Sequence, residues 1–426
     1  MSDRSLIPAF RRLVCCLDEL GRVTDEPGKL TRTFLSPAMR RANTRVGQWM
    51  RAAGLVVRED AVGNLIGRLD SKTPGAKTLL LGSHLDTVRD AGKFDGALGV
   101  LLPIVALGEL QRRGVVLPFA VEVLGFSEEE GVRFASAYLG SKGYTGKLRA
   151  ADLKFRDADG VSVREAMERW SALTPTRFSG ATKRLEVKPL HPRKNELLGY
   201  VEVHIEQGPV LEAKQLAVGI VSAIAGQSRF RLTWTGRAGH AGTTPMGLRR
   251  DALAGAAEFI LAAEKLARGS AGLVATVGAL TVSPGAANVI AGGVGHTLDV
   301  RHASDAARRQ ALFQLGRLAA AIARRRGLRV AWQRTQDNGA VACAPALTAQ
   351  LAQSVKAVQT KSPSLVSGAG HDAVVMSALT PVAMLFVRCR AGLSHHPEEF
   401  ASPADLDVAL RVVIDFLLRL AKEYSA

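Results

Sequence analysis

The residues of this chain whose types and spacing suit chemistry begin at His84. In the stretch TLLLGSHLDTVRDAGKFDGALGV, residues 78–100, an apolar run Leu79-Leu80-Leu81 meets Gly82, presents His84 and Asp86, and then places Asp95 between Gly92 and Gly96. A neutral imidazole and carboxylates are ligands for a divalent cation such as Zn or Mn, and an aspartate has two oxygens with which to serve two ions. A second apolar run, 119–126, ends in Ser127-Glu128-Glu129-Glu130-Gly131. Neighbouring glutamates can divide the work, one holding a metal while the next keeps a free carboxylate as general base for a hydrolytic water. His204, near the end of YVEVHIEQ, is a third ligand candidate. Taken singly, each segment reads equally well as an ordinary strand with a polar end. Brought to one edge, they read as a metal site.

The elements that must position these residues follow from periodicity. The runs ending at His84, at Ser127 and at Gln207 are short and apolar, as buried strands are, and open α/β sheets place their chemistry at strand carboxyl ends. Residues 36–54 read as a helix with a serine cap, Pro37 at its first position and an apolar stripe of Val46, Trp49 and Met50. Residues 55–57 and 64–69 flank Val62-Gly63-Asn64 as a hairpin. A helix over 96–113, with Leu98, Leu101, Leu102, Val105 and Leu110 on its stripe, begins just behind Asp95. Residues 151–198 look irregular, and the basic stretch inside them, from about 177 to 198, reads as a surface excursion in which His191 is exposed and uninvolved. From 219 to 334 the pattern becomes β-α-β-β-α-β, the split βαβ unit. Its strands are expected at 229–235, 273–280, 294–301 and 328–333, and its helices at 251–268 and 304–326. Arg308, Arg309, Arg317 and Arg324 are expected on the solvated face of the second helix. A glycine-rich loop at 367–372, a strand at 382–387, a loop holding His395 and His396, and a helix at 402–421 close the chain. The domain organisation expected is an outer domain, 1–218 and 335–426, with a compact domain, 219–334, inserted in it.

Composition narrows the function classes. The chain has 426 residues, 47% of them apolar, which suits a globular enzyme of two domains. No run approaches the roughly 20 apolar residues that span a bilayer, and MSDRSLIPAFRRLVCCLDEL does not read as a signal peptide. The cysteines at 15, 16, 343 and 389 fit no zinc or disulfide spacing, so reduced thiols and a cytoplasmic location are expected. The net charge of +17 raises the question of nucleic acid. Scattered arginines, 5% aromatics and the lack of any nucleic-acid motif argue against it; a small anionic substrate suits the field equally well.

Assembled, the chain resembles, nearly end to end, the two-domain dinuclear metallohydrolases that include allantoate amidohydrolases and N-carbamoyl-L-amino acid hydrolases, relatives of aminoacylases and zinc exopeptidases. GSHLDTV, FDGALGV, EEEGVRF, HIEQGPVLE, GRAGHAGTTPMGLRRDAL, DVRH, SGAGHDA and GLSHHPEE carry the resemblance, in that order. It implies an α/β fold, with a zinc-exopeptidase-like catalytic domain built on a mixed sheet and interrupted by a ferredoxin-like lid and dimerisation domain. It implies two divalent ions per subunit, Zn or Mn with Co or Ni as alternatives, one held by His84, Asp95 and His204 and the other by Asp95, Glu130 and His395. Asp86 would orient His84, and Glu129 would act as general base. His240 would stabilise the developing oxyanion, and Asn288 and Arg301 would hold a substrate carboxylate. Gln207, Gln227, Gly370 and His371 are further substrate candidates. The expected reaction is hydrolysis of a linear ureido bond in a small carboxylate, allantoate first, by a homodimer paired through the inserted domain. N-carbamoyl-L-amino acid hydrolysis of the L-carbamoylase or β-ureidopropionase type, aminoacylase or exopeptidase activity, and a catalytically silent binding protein are the alternatives. Ala291 stands where the family often has proline, and the basic stretch lengthens the segment between Glu130 and His204.

Overall fold

The computed structural model describes residues 6–172 and 194–424. Most of the basic stretch, His191 included, lies outside them. The chain divides into two compact units, one comprising residues 1–222, 343–365 and 370–426, the other 223–342 with 366–369.

The first unit is built on a mixed sheet. Its strands lie in the order Val56–Glu59, Leu65–Leu69, Ala120–Phe126, Thr78–His84, Leu197–Ile205, Val382–Val387 and Val218–Ile224. The middle four run parallel, and the flanking strands are antiparallel to their neighbours. Strands covered on both faces should be apolar throughout rather than alternating. Thr78–His84, Ala120–Phe126 and Val382–Val387 are accordingly buried at every residue. Parallel neighbours need a crossover, which helix Ala97–Arg112 supplies between Thr78–His84 and Ala120–Phe126. That helix is buried nearly all round. It lies so close to the sheet that a Cβ at Gly99 would stand 2.2 Å from the Val203 carbonyl oxygen.

The expected hairpin and the helices after Ser36 and Gly96 are present, with Ser36 Oγ capping the Met39 N–H. The segment after 150 is more regular than its sequence suggested. It holds helix Val163–Ala172, whose buried face is Val163, Ala166, Met167 and Trp170. Ser162 and Glu165 cap one another's N–H groups, a reciprocal box whose S-x-x-E signature was visible in the sequence.

The second unit has its own core around Leu232, Trp234, Phe259, Leu298 and Leu315. Its antiparallel sheet runs Leu280–Ser283, Gly293–His302, Gly226–Thr235, Arg329–Asn338, with helices Ala252–Arg268 and Asp305–Arg326, the ferredoxin-like order. The strand expected over 273–280 is broken into Val274–Thr276 and Leu280–Ser283. Thr297 Oγ1 accepts the N–H groups of Gly278 and Ala279 between them, taking those donors out of the ladder. Arg308 also departs from expectation. It is buried, not solvated, with its guanidinium 2.9 Å from Asp305 and 2.5 Å from Asp337.

Candidate metal centre

Four parallel strands end at one edge, and each delivers a donor there. Thr78–His84 ends on His84, Ala120–Phe126 leads into Glu128, Glu129 and Glu130, Leu197–Ile205 carries His204, and the loop after Val382–Val387 carries His395. Asp95 stands at the start of the crossover helix. Its Oδ1 lies 3.2 Å from Nε2 of both His84 and His204, while its Oδ2 lies 3.6 Å from His395 Nε2. His395 Nε2 is in turn 3.4 Å from Glu130 Oε1. The donor atoms form three groups, each within 4.8 Å: His84, Asp95 and His204; Asp95, Glu130 and His395; and His84, Glu129 and Glu130. Asp95 thus faces a different set of partners with each oxygen.

The chemistry of this donor set fits cations. His84 Nδ1 lies 3.0 Å from the Asp86 carbonyl oxygen, and His204 Nδ1 lies 2.9 Å from that of Ile205, so each ring places its proton on Nδ1. Each Nε2 is left with a lone pair aimed at a carboxylate oxygen, an arrangement that asks for positive charge between them. The carboxylates make the same demand. Burial pushes Glu130 up to about 8, with Asp95 adding to the effect. Burial also holds Glu129 well above the usual carboxylate range, against the opposing pull of His84 and with Glu130 and Asp372 adding to the rise. Burial would raise Asp95 too, but positive charge at His204 and His84 would hold it well below that range.

A layer of contacts fixes these groups. Asp86 accepts the N–H groups of Glu129 and Glu130 at 3.0 and 3.1 Å and lies 3.3 Å from His84 Nδ1, tying the glutamate pair to the imidazole. Gly96, at φ 65°, lets the chain pass the His84 ring, which a Cβ there would meet at 2.4 Å. Gln207, in left-handed backbone, donates from Nε2 to Asp95 Oδ2 at 2.8 Å and so belongs to the cluster itself. His371 is buried, its ring centroid 4.6 Å from that of His204. Two residues that sequence reasoning missed hold Asp95 from the far side. Glu399 Oε1 accepts the N–H groups of Phe94 and Asp95 at 2.9 and 3.1 Å, and Ser394 Oγ lies 2.6 Å from Asp95 Oδ2. The signal for Glu399 was in plain view, since GLSHHPEE continues past its histidines.

The remaining sequence candidates belong to the second unit. His240 is exposed, and its Nδ1 accepts the N–H groups of Gly242 and Thr243 at 3.0 and 3.2 Å, leaving the ring proton on Nε2. Asn288 lies beside it, its carbonyl accepting from Ala241 N–H. Arg301 is held by both oxygens of Asp299, which also accepts from Gln227 and Arg229. Arg301, Asp299 and Arg229 line a cavity of about 620 Å³ with Thr276, Thr297 and Thr335.

A mixed sheet whose parallel strands converge histidines and carboxylates on one edge forms a cluster that could hold a cation. Comparison with known proteins agrees: residues 80–419 match peptidase family M20/M25/M40, whose members are metal-dependent, and the chain belongs to that family. It is 40% identical to allantoate deiminase 2 of Glycine max over 96% of this chain and 89% of that protein. It is also 40% identical to an N-carbamoyl-L-amino acid amidohydrolase of Geobacillus stearothermophilus, over 95% of this chain and 97% of that one. The crystal structure of an amidase of the hydantoinase/carbamoylase family from Burkholderia multivorans superposes with a TM-score of 0.89 at 32% identity, covering 97% of this chain and 98% of the other.

Proposed function

We propose that this enzyme hydrolyses a linear ureido C–N bond in a small carboxylate, allantoate first and N-carbamoyl-L-amino acids second, releasing ammonia and carbon dioxide. The observation that carries the reading is Asp95, whose two oxygens face separate donor sets while the Glu129 carboxylate stands beside them. The names of the relatives, a deiminase of allantoate and an amidohydrolase of N-carbamoyl-L-amino acids, support the bond class.

In this reading His84, Asp95 and His204 hold one divalent ion and Asp95, Glu130 and His395 the other, Zn or Mn with Co or Ni also suited to the donors. Such ions, when bound, polarise the carbonyl and acidify water. Glu129 takes the proton of the attacking water and passes it to the departing nitrogen. Asp86 keeps Glu129 and His84 in register. His240, with its proton on Nε2, serves as donor to the developing oxyanion, and Arg301, its plane fixed by Asp299, takes the substrate carboxylate with Asn288. Gln207, Gln227, Gly370 and His371 complete the substrate contacts. The lid and dimerisation domain, about 219–334, offers the edge strand Arg329–Asn338 for pairing in a homodimer. Four free cysteines accord with a reducing, cytoplasmic setting, and among the described residues no helix is long and apolar enough to cross a membrane.

The test is ammonia release from allantoate, ureidoglycolate, N-carbamoyl-L-amino acids and N-carbamoyl-β-alanine, with amine release followed for N-acetyl amino acids and dipeptides, each with added Mn or Zn. Turnover of a ureido substrate that falls by about 10²–10⁴ in Glu129→Gln supports the reading. Cleavage of acyl or peptide bonds alone would replace it with an aminoacylase or exopeptidase. A metal-loaded protein that cleaves nothing would be a binding protein.

A further inference from the structure

Tyr138 belongs to the loop that carries Glu129. Its backbone is left-handed, φ 67° and ψ 25°. A residue with a Cβ gives up of the order of 1–2 kcal/mol to stand there, and such conformations persist where the surroundings impose them, commonly at functional sites. The Tyr138 N–H donates to the Glu129 carbonyl oxygen at 3.1 Å, so the two residues are joined through the main chain. The phenol points at Gly370. A Cβ on that glycine would lie 1.9 Å from Tyr138 Oη and 3.9 Å from Glu129 Oε1, so both oxygens flank one bare stretch of backbone. The hydroxyl has its place only because residue 370 has no side chain, and among the described residues it has no hydrogen-bond partner. Burial, then the charges of Glu129, Asp372, Glu202 and Glu130, raise the phenol above its ordinary pKa. Tyr138 is therefore a donor throughout the working range and never a rival to the base.

A donor beside the general base must find an acceptor on the substrate or stay unpaired once the pocket is filled. An unpaired buried donor is costly, which is how a site built to hydrogen-bond one substrate rejects an analogue lacking the matching group. We propose that Tyr138 is a specificity-determining residue whose hydroxyl donates to an acceptor oxygen of the bound substrate, favouring ureido carboxylates with an oxygen-bearing group on the α-carbon over those with an alkyl side chain there. The inference rests on the ureido reading above.

The test measures kcat and KM of the metal-loaded enzyme, Tyr138→Phe and Gly370→Ala on allantoate and on N-carbamoyl-L-alanine, with metal content and circular dichroism as controls. Tyr138→Phe is expected to lower kcat/KM for allantoate by about 10–100-fold and to leave N-carbamoyl-L-alanine within about twofold. Gly370→Ala, which displaces the hydroxyl, should also lower kcat/KM for allantoate. It should add little in the Phe background, where its Cβ meets ring carbon at 3.2 Å rather than oxygen at 1.9 Å. Equal losses on both substrates would overturn the inference, because the phenol would then serve Glu129 or the fold; so would no loss on either. A wild type that prefers N-carbamoyl-L-alanine overturns the inference and leaves the ureido reading standing. Turnover of N-acetyl amino acids or dipeptides alone overturns both.

Discussion

Glu399 shows how much of the proposed metal centre lies outside the residues proposed to hold the ions. Its carboxylate takes two consecutive backbone N–H groups, those of Phe94 and Asp95, and its other oxygen is 3.1 Å from Ser394 Oγ. A Cβ at Gly92 would strike it at 2.3 Å, so the loop before the crossover helix is shaped around this one side chain. Removing a group that orients a metal ligand commonly weakens metal affinity by about 10–100-fold. Glu399→Ala is expected to show that loss in a metal titration followed by calorimetry, with catalysis recovering as the ion is raised. Glu129→Gln should do the opposite, binding metal as the wild type does while turnover stays lost at saturation. Equal metal affinities in wild type and Glu399→Ala would show that Asp95 is held well enough without it. The contrast also explains which residues were legible. His84, Glu129, Glu130 and His204 end apolar runs, so local pattern exposes them, whereas Glu399 and Ser394 act on Asp95 across some 300 residues of sequence, 304 in the case of Glu399. No window of sequence contains both partners of such a contact, and although the motif that supplied His395 includes Ser394 and Glu399, it gave neither a role.

Elements were legible where burial on one face imposes a period and obscure where side chains overrule the backbone. The central strands and the crossover helix follow from apolar runs alone. The break at 277–279 does not, because it depends on where Thr297 falls in the opposite strand. Strand Gly293–His302 carries a second such dependence. His296 is buried, its Nε2 accepting the Trp234 indole N–H at 3.0 Å and its Nδ1 lying 3.1 Å from the Thr297 carbonyl oxygen, so the ring is neutral with its proton on Nδ1. Burial lowers its pKa, against a smaller opposing effect from Thr297. A base whose folded pKa is depressed contributes stability that is complete above its unfolded value, about 6.5, and is lost as pH falls through the folded value. Acid would set a new N–H against the Trp234 N–H. The second unit is therefore expected to lose thermal stability below about pH 6.5, with Trp234 emission reporting the transition. His296→Phe leaves the indole N–H unpaired and should cost about 1–3 kcal/mol at pH 8, while showing a flatter response to acid. An identical acid profile in the two proteins would remove His296 from the account.

At the scale of the whole molecule the chain carries two cores, and the residues proposed as ligands all belong to one of them. Every donor in the three groups around Asp95 belongs to the unit formed by residues 1–222, 343–365 and 370–426. The other unit closes on itself: Ala223 and Ile224 pair antiparallel with Ala342 and Val341, so its two ends meet in adjacent backbone bonds. The order β-α-β-β-α-β can be read from the sequence, because strand and helix periods alternate within one stretch. Which sheet Val218–Ile224 joins was not visible, since VGIVSAI is as apolar as the strands on either side, and only its pairing with Val382–Val387 decides it. An ion that binds the native form of one unit stabilises that unit by RT ln(1 + [L]/Kd), about 2.7 kcal/mol at a hundred times Kd. Calorimetry of the full chain is therefore expected to show two transitions, with added Mn or Zn raising one and a chelator lowering it, while the other stays in place. The stationary transition should reappear in a fragment of residues 223–342, whose core of Leu232, Trp234, Phe259, Leu298 and Leu315 is complete without the rest. A single transition that moves as a whole with metal would mean that the two cores melt as one, and the fragment would then be expected to fail to fold.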